Sequence, residues 1–318
     1  MALQIIEPTD SIPCNTLVMV IYGGPGVGKT SLAQTADNPI TLDTDTGIHR
    51  SFNRKKAARI AAATDLGQAF PLFQGHSTVV VDTVGRVLDF MTSDILRETA
   101  KNGQRATSLS PQGWGVLKGR FTMWVQDVRQ LGKDLILIAH EKEEKDGEDR
   151  IFRPEVQGGS YTELHKVADL IGYLSVDKAG KRTLNFNRTD RSIGKGGWVL
   201  GTVPCGENPD DDFLGKYPRF LADLIKTAKE KIGLASAVDK EKIEADEFIG
   251  RWETWVKNDV ERGDAETFDA AFKEITEEFK VMSVKKKTAV WTGLLALAKG
   301  HGIIWDAAKK MFVKKAGA

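Results

Sequence analysis

The chain has 318 residues, 41% of them hydrophobic and 28% charged, with a net charge of +1. That length admits one large domain or a core with a smaller companion. The near-zero charge excludes a global pull toward nucleic acid or membrane, so any basic surface has to be local.

Two cysteines, Cys14 and Cys205, stand far apart and outside any C-x-x-C, which excludes a disulfide scaffold and a zinc module and suits a reducing cytoplasm. The histidines at 49, 76, 140, 165 and 301 form no ligand cluster. His140-Glu141 begins like H-E-x-x-H, but Glu144 occupies the second histidine position. The start of the chain, MALQIIEPTDSIP, has neither a cationic segment nor a long apolar one. No run approaches the roughly 20 apolar residues of a membrane span, so a soluble, cytoplasmic protein is expected.

The first element is an apolar run from Leu17 to Tyr22, which reads as a buried strand. Gly23, Gly24, Pro25, Gly26, Val27, Gly28, Lys29 and Thr30 follow and spell G-x-x-x-x-G-K-[ST]. Ser31-Leu32-Ala33-Gln34 then opens a helix. The glycines let backbone N–H groups turn inward, and the helix N-terminus adds free donors and a positive dipole. This stretch from Gly23 to Ser31 is expected to hold the phosphates of ATP. Lys29 reaches the terminal phosphates and the Thr30 hydroxyl sits on Mg²⁺.

Further runs rich in β-formers follow: PITLD (39–43), ARIAAA (58–63), STVVVD (77–82), DLILIAH (134–140), LIGYLSV (170–176) and RTLNFN (182–187). Their continuous rather than alternating apolar character, with helical stretches between them, predicts a mostly parallel α/β sheet covered by helices on both faces. PITLD leads into Asp43 and Asp45. STVVVD ends at Asp82, the expected second Mg²⁺ residue. Many P-loop ATPases have a glutamate base next, but Thr83 stands there. The base is then expected at Asp45 or Asp43, at the C-terminal edge of the second strand where ligands of open α/β sheets lie. Asp82-Thr83-Val84-Gly85 also reads as the D-x-x-G of GTPases, yet no N-K-x-D guanine reader occurs in the chain.

The segment FLADLIKTAKEKIG reads as a helix leading out of this core, which is expected to span 1–230. From 236 to 318 a small all-helical domain is predicted, with Phe248, Trp252 and Trp255 on one helical face and Phe268, Phe272, Ile275 and Phe279 on another. Trp291, Leu294, Leu295 and Ala298, then Ile304, Trp305, Ala308 and Phe312, continue the same spacing. Residues 239–279 hold fourteen acidic and six basic side chains, whereas 280–318 hold nine lysines against Asp306 alone. That asymmetry leaves two readings of the end of the chain, a solvated face or a phosphate-tracking surface.

The P-loop, the carboxylate after the second strand, the strand ending Asp-Thr and the strand ending in a polar residue together resemble the RecA-type core. Over residues 12–225 the chain is similar to the phage-encoded RecA-like ATPases of the Sak type, which act in single-strand annealing and recombination. The resemblance implies a base at Asp45, with Asp43 in support, and a γ-phosphate sensor at His140. It implies DNA-binding loops at 99–115, with Lys101 and Arg105, and at 141–161, with Arg150 and Arg153. The second loop is acidic overall, so a partner contact is its alternative role. The resemblance further implies a basic finger, Arg191 or Arg188, that reaches a neighbouring protomer's nucleotide in a head-to-tail homo-oligomer on single-stranded DNA, with a single-strand-binding protein as a further partner. Two other readings stay open, a motor or loader subunit acting on proteins and a nucleotide-gated scaffold with little turnover.

Overall fold

The computed structural model describes residues 13–51, 53–100, 107–146, 149–157, 160–206, 215–233, 265–266, 268–270 and 284–314. Lys101, Arg105, Gly158, Gly159 and most of the predicted aromatic helices between 248 and 279 lie outside them. Contacts divide the chain into two units, residues 14–232 and a second made of 1–13 with 233–318.

In the larger unit, nine strands among the described residues form one sheet. They are β1 (Val18–Gly23), β2 (Pro39–Asp43), β3 (Ala57–Arg59), β4 (Thr78–Asp82), β5 (Asp134–Asp146), β6 (Asp149–Pro154), β7 (Leu170–Val176), β8 (Arg182–Asn185) and β9 (Thr202–Pro204). The order is β3-β2-β4-β5-β1-β7-β8-β9. The first six in that order run parallel, β8 and β9 turn antiparallel, and β6 folds back on the far end of β5. This is the predicted mostly parallel α/β architecture.

β1, β2 and the first four residues of β4 are buried throughout, as strands covered on both faces must be. The helices α1 (Lys29–Ala33), α2 (Ala63–Gln68), α3 (Val84–Glu98), α4 (Pro111–Gln130), α5 (Ser160–Val167) and α6 (Gly197–Leu200) supply the layers. On one face, Val20, Val79, Val81 and Leu137 of the sheet pack with Val87, Leu88, Phe121, Val125 and Leu164 from α3, α4 and α5. On the other, Met19, Ile21, Val80 and Ile136 pack with Leu32 of α1, Val199 of α6 and Leu221 and Ile225 of a helix over 220–233. Each such side chain contributes roughly 1.5–3 kcal/mol on burial. α4 begins cleanly because Ser110 caps it, its Oγ accepting from Gly113 N at 3.1 Å, with Pro111 at the first position.

β1 is held at its start by two carboxylates. Asp134 accepts from Leu17 N at 2.9 Å and Asp169 accepts from Val18 N at 2.8 Å. Lys229 pairs with the first at 2.6 Å and Arg129 with the second at 3.3 Å. The C-terminal end of β1, which launches the P-loop, is thereby set from below.

Three sequence expectations need correction. The strand expected over 58–63 is only Ala57–Arg59, because Asp65 accepts hydrogen bonds from the N–H groups of Ala61 and Ala62 and starts α2 there. The irregular loop expected over 141–161 is for the most part an antiparallel hairpin of β5 and β6, with Glu141 opposite Pro154 and Asp146 opposite Asp149. Diagonal charge pairs, Arg150 with Glu143 at 3.1 Å and Arg153 with Glu144, hold a ribbon that has few apolar residues.

The end of the chain is not all-helical. A helix α7 (Val284–Gly300) is followed by strands β10 (Ile303–Asp306) and β11 (Met311–Lys314), paired with Trp305 opposite Phe312. Gly302, at φ 72°, stops the helix, and Lys310, at φ 53°, closes the turn. Ile304, Trp305 and Phe312 therefore sit on strands, where neighbours point to opposite faces. Trp305 and Phe312 meet Trp291 of α7 at ring-centroid distances of 5.0 and 6.2 Å. Phe268, Ile303 and Phe312 are fully buried in this unit, as core side chains rather than an exposed stacking platform. No helix of the described residues is long and apolar enough to cross a membrane.

Candidate functional site

The C-terminal ends of β1, β2 and β4 come together beside the middle of β5, with Asp43 level with Asp82 and Gly23 level with His140. Pro25, Gly26, Gly28, Lys29, Thr30 and Ser31 line a pocket of about 400 Å³ there, opposite Asp45, Asp82, Thr83 and His140. Gly47, Arg50 and Ser51 complete its wall.

The P-loop turns as its sequence requires. Gly26 has φ 75° and Gly28 has φ 92°, both in the left-handed region that a side chain resists. Gly23, Gly24 and Val27 belong to the loop but do not line the pocket. A Cβ at Gly23 would collide with the carbonyl oxygen of Leu174, while Val27 packs on the core face that holds α1. A Cβ at Gly24 would stand 3.2 Å from Glu141 Oε1. These residues place the loop and the others face its cavity.

Lys29 is 7% exposed, and its Nζ donates to the carbonyls of Gly23 at 2.7 Å and Gly24 at 2.6 Å. Burial lowers its pKa, against the carboxylates of Asp82 and Glu141, which raise it. An anion in the loop relieves that burial, so the buried ammonium favours a phosphate.

Thr30 Oγ1 donates to Asp82 Oδ2 at 2.5 Å. Burial raises the pKa of Asp82; the Thr30 hydrogen bond opposes this, and Asp45 and Asp43 add to it. A desolvated carboxylate beside a hydroxyl suits Mg²⁺, which takes one or two protein oxygens and fills the rest of its octahedron with water and phosphate oxygens. No group of three or more histidine, cysteine or acidic ligands occurs among the described residues.

Asp43 and Asp45 are separated by their geometry. Asp43 is buried and accepts from Gly47 N at 2.9 Å and Ile48 N at 3.5 Å, so its carboxylate closes the turn after β2. Asp45 lines the pocket and is bound by Thr83 Oγ1 at 3.1 Å and Arg86 Nε at 3.2 Å. Between them, Thr44 ties β2 to β4: its Oγ1 lies 2.9 Å from Asp82 O and accepts from Thr83 N at 2.7 Å.

His140 is exposed at the pocket rim, at the level of Gly23. Arg188 and Arg191 sit on the loop after β8, where Arg191 O accepts from Phe152 N at 2.8 Å, and neither lines the nucleotide pocket of its own chain. Arg150 and Arg153 are on the hairpin, paired with its glutamates; Arg153 also covers the ring of Tyr161 at 5.0 Å.

Several site residues escaped the sequence reading. Arg50 comes from a 3-10 turn, Ile48–Arg50, and lines the pocket beside Gly47. Ser51 Oγ lies 3.2 Å from Ser31 Oγ, joining that turn to α1. Glu141 accepts from Tyr173 OH at 2.9 Å beside Gly24. Arg182, 4% exposed, lies behind the loop, its Nη1 3.2 Å from where a Cβ of Gly28 would be. The basic character of positions 50 and 182 is visible in the sequence, but no spacing says that those segments fold back on the loop.

Comparison with known proteins gives a family match and a structural one. The AAA domain family matches residues 15–198, from just before β1 into α6. No curated protein matches the sequence. Among solved structures, a KaiC-like protein, PH0186 of the hyperthermophilic archaeon Pyrococcus horikoshii OT3, is similar at 13% identity and a TM-score of 0.37, over 61% of this chain and 87% of that one.

Proposed function

The chain belongs to the AAA domain family, and from that premise we propose that it is a Mg²⁺-dependent ATPase that assembles head-to-tail and acts on single-stranded DNA in recombination or annealing. The observation that carries the ATPase reading is the convergence of Lys29, Thr30, Asp82 and Asp45 on one pocket, with Thr30 and Asp82 in contact at 2.5 Å.

The roles follow from the geometry. Backbone donors from Gly26 to Thr30, the Lys29 ammonium and Arg50 receive the phosphates. Thr30 and Asp82 hold Mg²⁺, which when bound neutralises charge that develops on the phosphate oxygens. Asp45 orients the attacking water and takes its proton, and His140 at the rim senses the terminal phosphate. Arg191, or Arg188 in its place, completes the next protomer's site.

The DNA reading draws on the resemblance to Sak-type proteins and on the lysine-rich end of the chain. A protein partner, as for a loader, is the second reading. It is favoured by one observation: Arg150 and Arg153 are already paired with Glu143 and Glu144, which leaves less free charge for phosphates.

ATPase rate with and without single-stranded DNA tests the proposal. Stimulation by DNA supports it. Turnover that ignores DNA favours the protein partner, and nucleotide binding without turnover favours a gated scaffold. Truncation after Ala235 tests the tail, since every DNA phosphate that the tail neutralises steepens the log–log salt dependence of binding by roughly 0.7.

A further inference from the structure

Asp45 is an aspartate where a glutamate is the expected base, and Thr83 stands where many P-loop ATPases carry that glutamate. The structure connects these two departures. Thr83 and Arg86, from the joint between β4 and α3, both bind Asp45, Thr83 at Oδ2 and Arg86 at Oδ1. The carboxylate is thus held at both oxygens from the segment that also carries Asp82. Each oxygen keeps a further lone pair, so a proton can still be accepted.

Arg86, its side chain 54% exposed, makes further contacts of its own. Its Nη1 lies 3.5 Å from Asp89 Oδ2, less than one helical turn on, and its guanidinium stands 5.9 Å from the ring centre of Phe90. Asp89 in turn accepts from the Gln157 side-chain amide, whose Oε1 is 3.4 Å from Thr92 Oγ1. A second cavity of about 460 Å³ adjoins the nucleotide pocket, and Asp45, Thr83 and His140 line both. Arg86, Asp89 and Gln157 line only the second one. The contact of Arg86 with the nucleotide pocket is therefore through Asp45.

We infer that Arg86 is a positioning residue for Asp45, and that anchorage by Thr83 and Arg86 replaces the reach of a glutamate with fixed orientation. This rests on the reading of Asp45 as the residue that orients water. A lone aspartate on a loop samples several rotamers; one tied at both oxygens presents its free lone pairs in one direction. Guanidinium suits the task because it is permanently charged and planar, and its fork can serve Asp45 and Asp89 together.

The test is a double-mutant cycle on the full chain, with single-turnover ATP hydrolysis and Mg-ATP affinity measured for the parent, Arg86→Ala, Asp45→Asn and the pair. Arg86→Ala is expected to lower the hydrolysis rate roughly 10- to 100-fold, the scale of a misplaced reacting group, with Mg-ATP affinity unchanged. Arg86→Lys should restore part of the rate by keeping the charge. In the Asp45→Asn background Arg86→Ala should add nothing. An unchanged rate in Arg86→Ala, an equal further loss in the Asp45→Asn background, or weaker Mg-ATP binding at unchanged rate each overturns the positioning role. Full turnover in Asp45→Asn alone overturns the reading of Asp45 itself, which no Arg86 result can imitate.

Discussion

Thr30 Oγ1 and Asp82 Oδ2 meet at 2.5 Å across 52 residues of sequence, joining the P-loop to the end of β4 over the intervening strand β5. The contact brings a hydroxyl, the proposed Mg²⁺ ligand, to a carboxylate whose burial raises its pKa above the ordinary value of 3.8. The site keeps negative charge where it is poorly solvated, a conflict that the proposed Mg²⁺ would resolve. Such local conflicts are expected where a fold serves a ligand.

The first prediction follows from that conflict. A folded-state pKa above the unfolded value means that the folded chain binds this proton more tightly. Asp82 then contributes stability below its ordinary value and loses that contribution as pH rises through the raised one; above both, the ionised group costs stability. Asp82→Asn should therefore raise the melting temperature of the nucleotide-free protein at neutral pH, by about 2–4 °C for each kcal/mol relieved. The same variant should lose its Mg²⁺-dependent stabilisation by ATP. A lower melting temperature without nucleotide would show that the carboxylate is not under strain.

The second separates the two candidate bases. Asp45→Asn should keep Mg-ATP affinity and the melting temperature while hydrolysis falls by ~10²–10⁴, the usual contribution of a positioned base. Asp43→Asn should act on the fold, because its carboxylate closes the turn to Gly47 and Ile48. A buried hydrogen bond of that kind is worth roughly 0.5–1.5 kcal/mol, more for a charged acceptor. Full activity in Asp45→Asn together with loss of turnover in a stable Asp43→Asn would exchange the roles.

The third prediction concerns two glycines of one loop. A Cβ at Gly23 meets the Leu174 carbonyl on the neighbouring strand, whereas a Cβ at Gly26 has open space but a left-handed backbone, at φ 75°. Gly23→Ala should disturb the β1–β7 pairing and lower the melting temperature more than Gly26→Ala, whose cost is the local strain of roughly 1–3 kcal/mol. Equal melting temperatures would mean that the strands yield easily at this point.

The P-loop, its flanking strand and Asp82 were legible in the sequence because their chemistry is local: contiguous glycines, Lys29, Thr30 and an apolar run ending in a carboxylate. The parallel sheet was legible from strands that stay apolar along their length. The β5–β6 hairpin was not, since its alternation of Lys142, Glu143, Glu144 and Lys145 looks like a solvated loop until the strand opposite supplies Arg150 and Arg153. The β10–β11 hairpin was misread because Ile304, Ala308 and Phe312 fit a helical period as well as a strand, turn and strand. Arg50 and Arg86 became site residues only through folding, by standing near Gly47 and Asp45.

The last prediction tests assembly. If Arg191, or Arg188 in its place, completes the neighbouring protomer's site, each active site combines Lys29 of one chain with an arginine of another across a heterologous interface. Lys29→Ala and Arg191→Ala should then each be nearly inactive alone. In an equal mixture about a quarter of the interfaces pair an intact Lys29 with an intact Arg191, so activity should return toward that fraction. A finger acting within its own chain behaves differently, because every chain in the mixture carries one defect in its own site. The measurement is ATPase activity against mixing ratio at fixed total protein, with single-stranded DNA present and co-assembly verified by size. A maximum at equal proportions supports the shared site. A flat, inactive profile from variants that do co-assemble would put the finger within its own chain, whereas full activity in Arg191→Ala alone would pass the role to Arg50, already in the pocket wall.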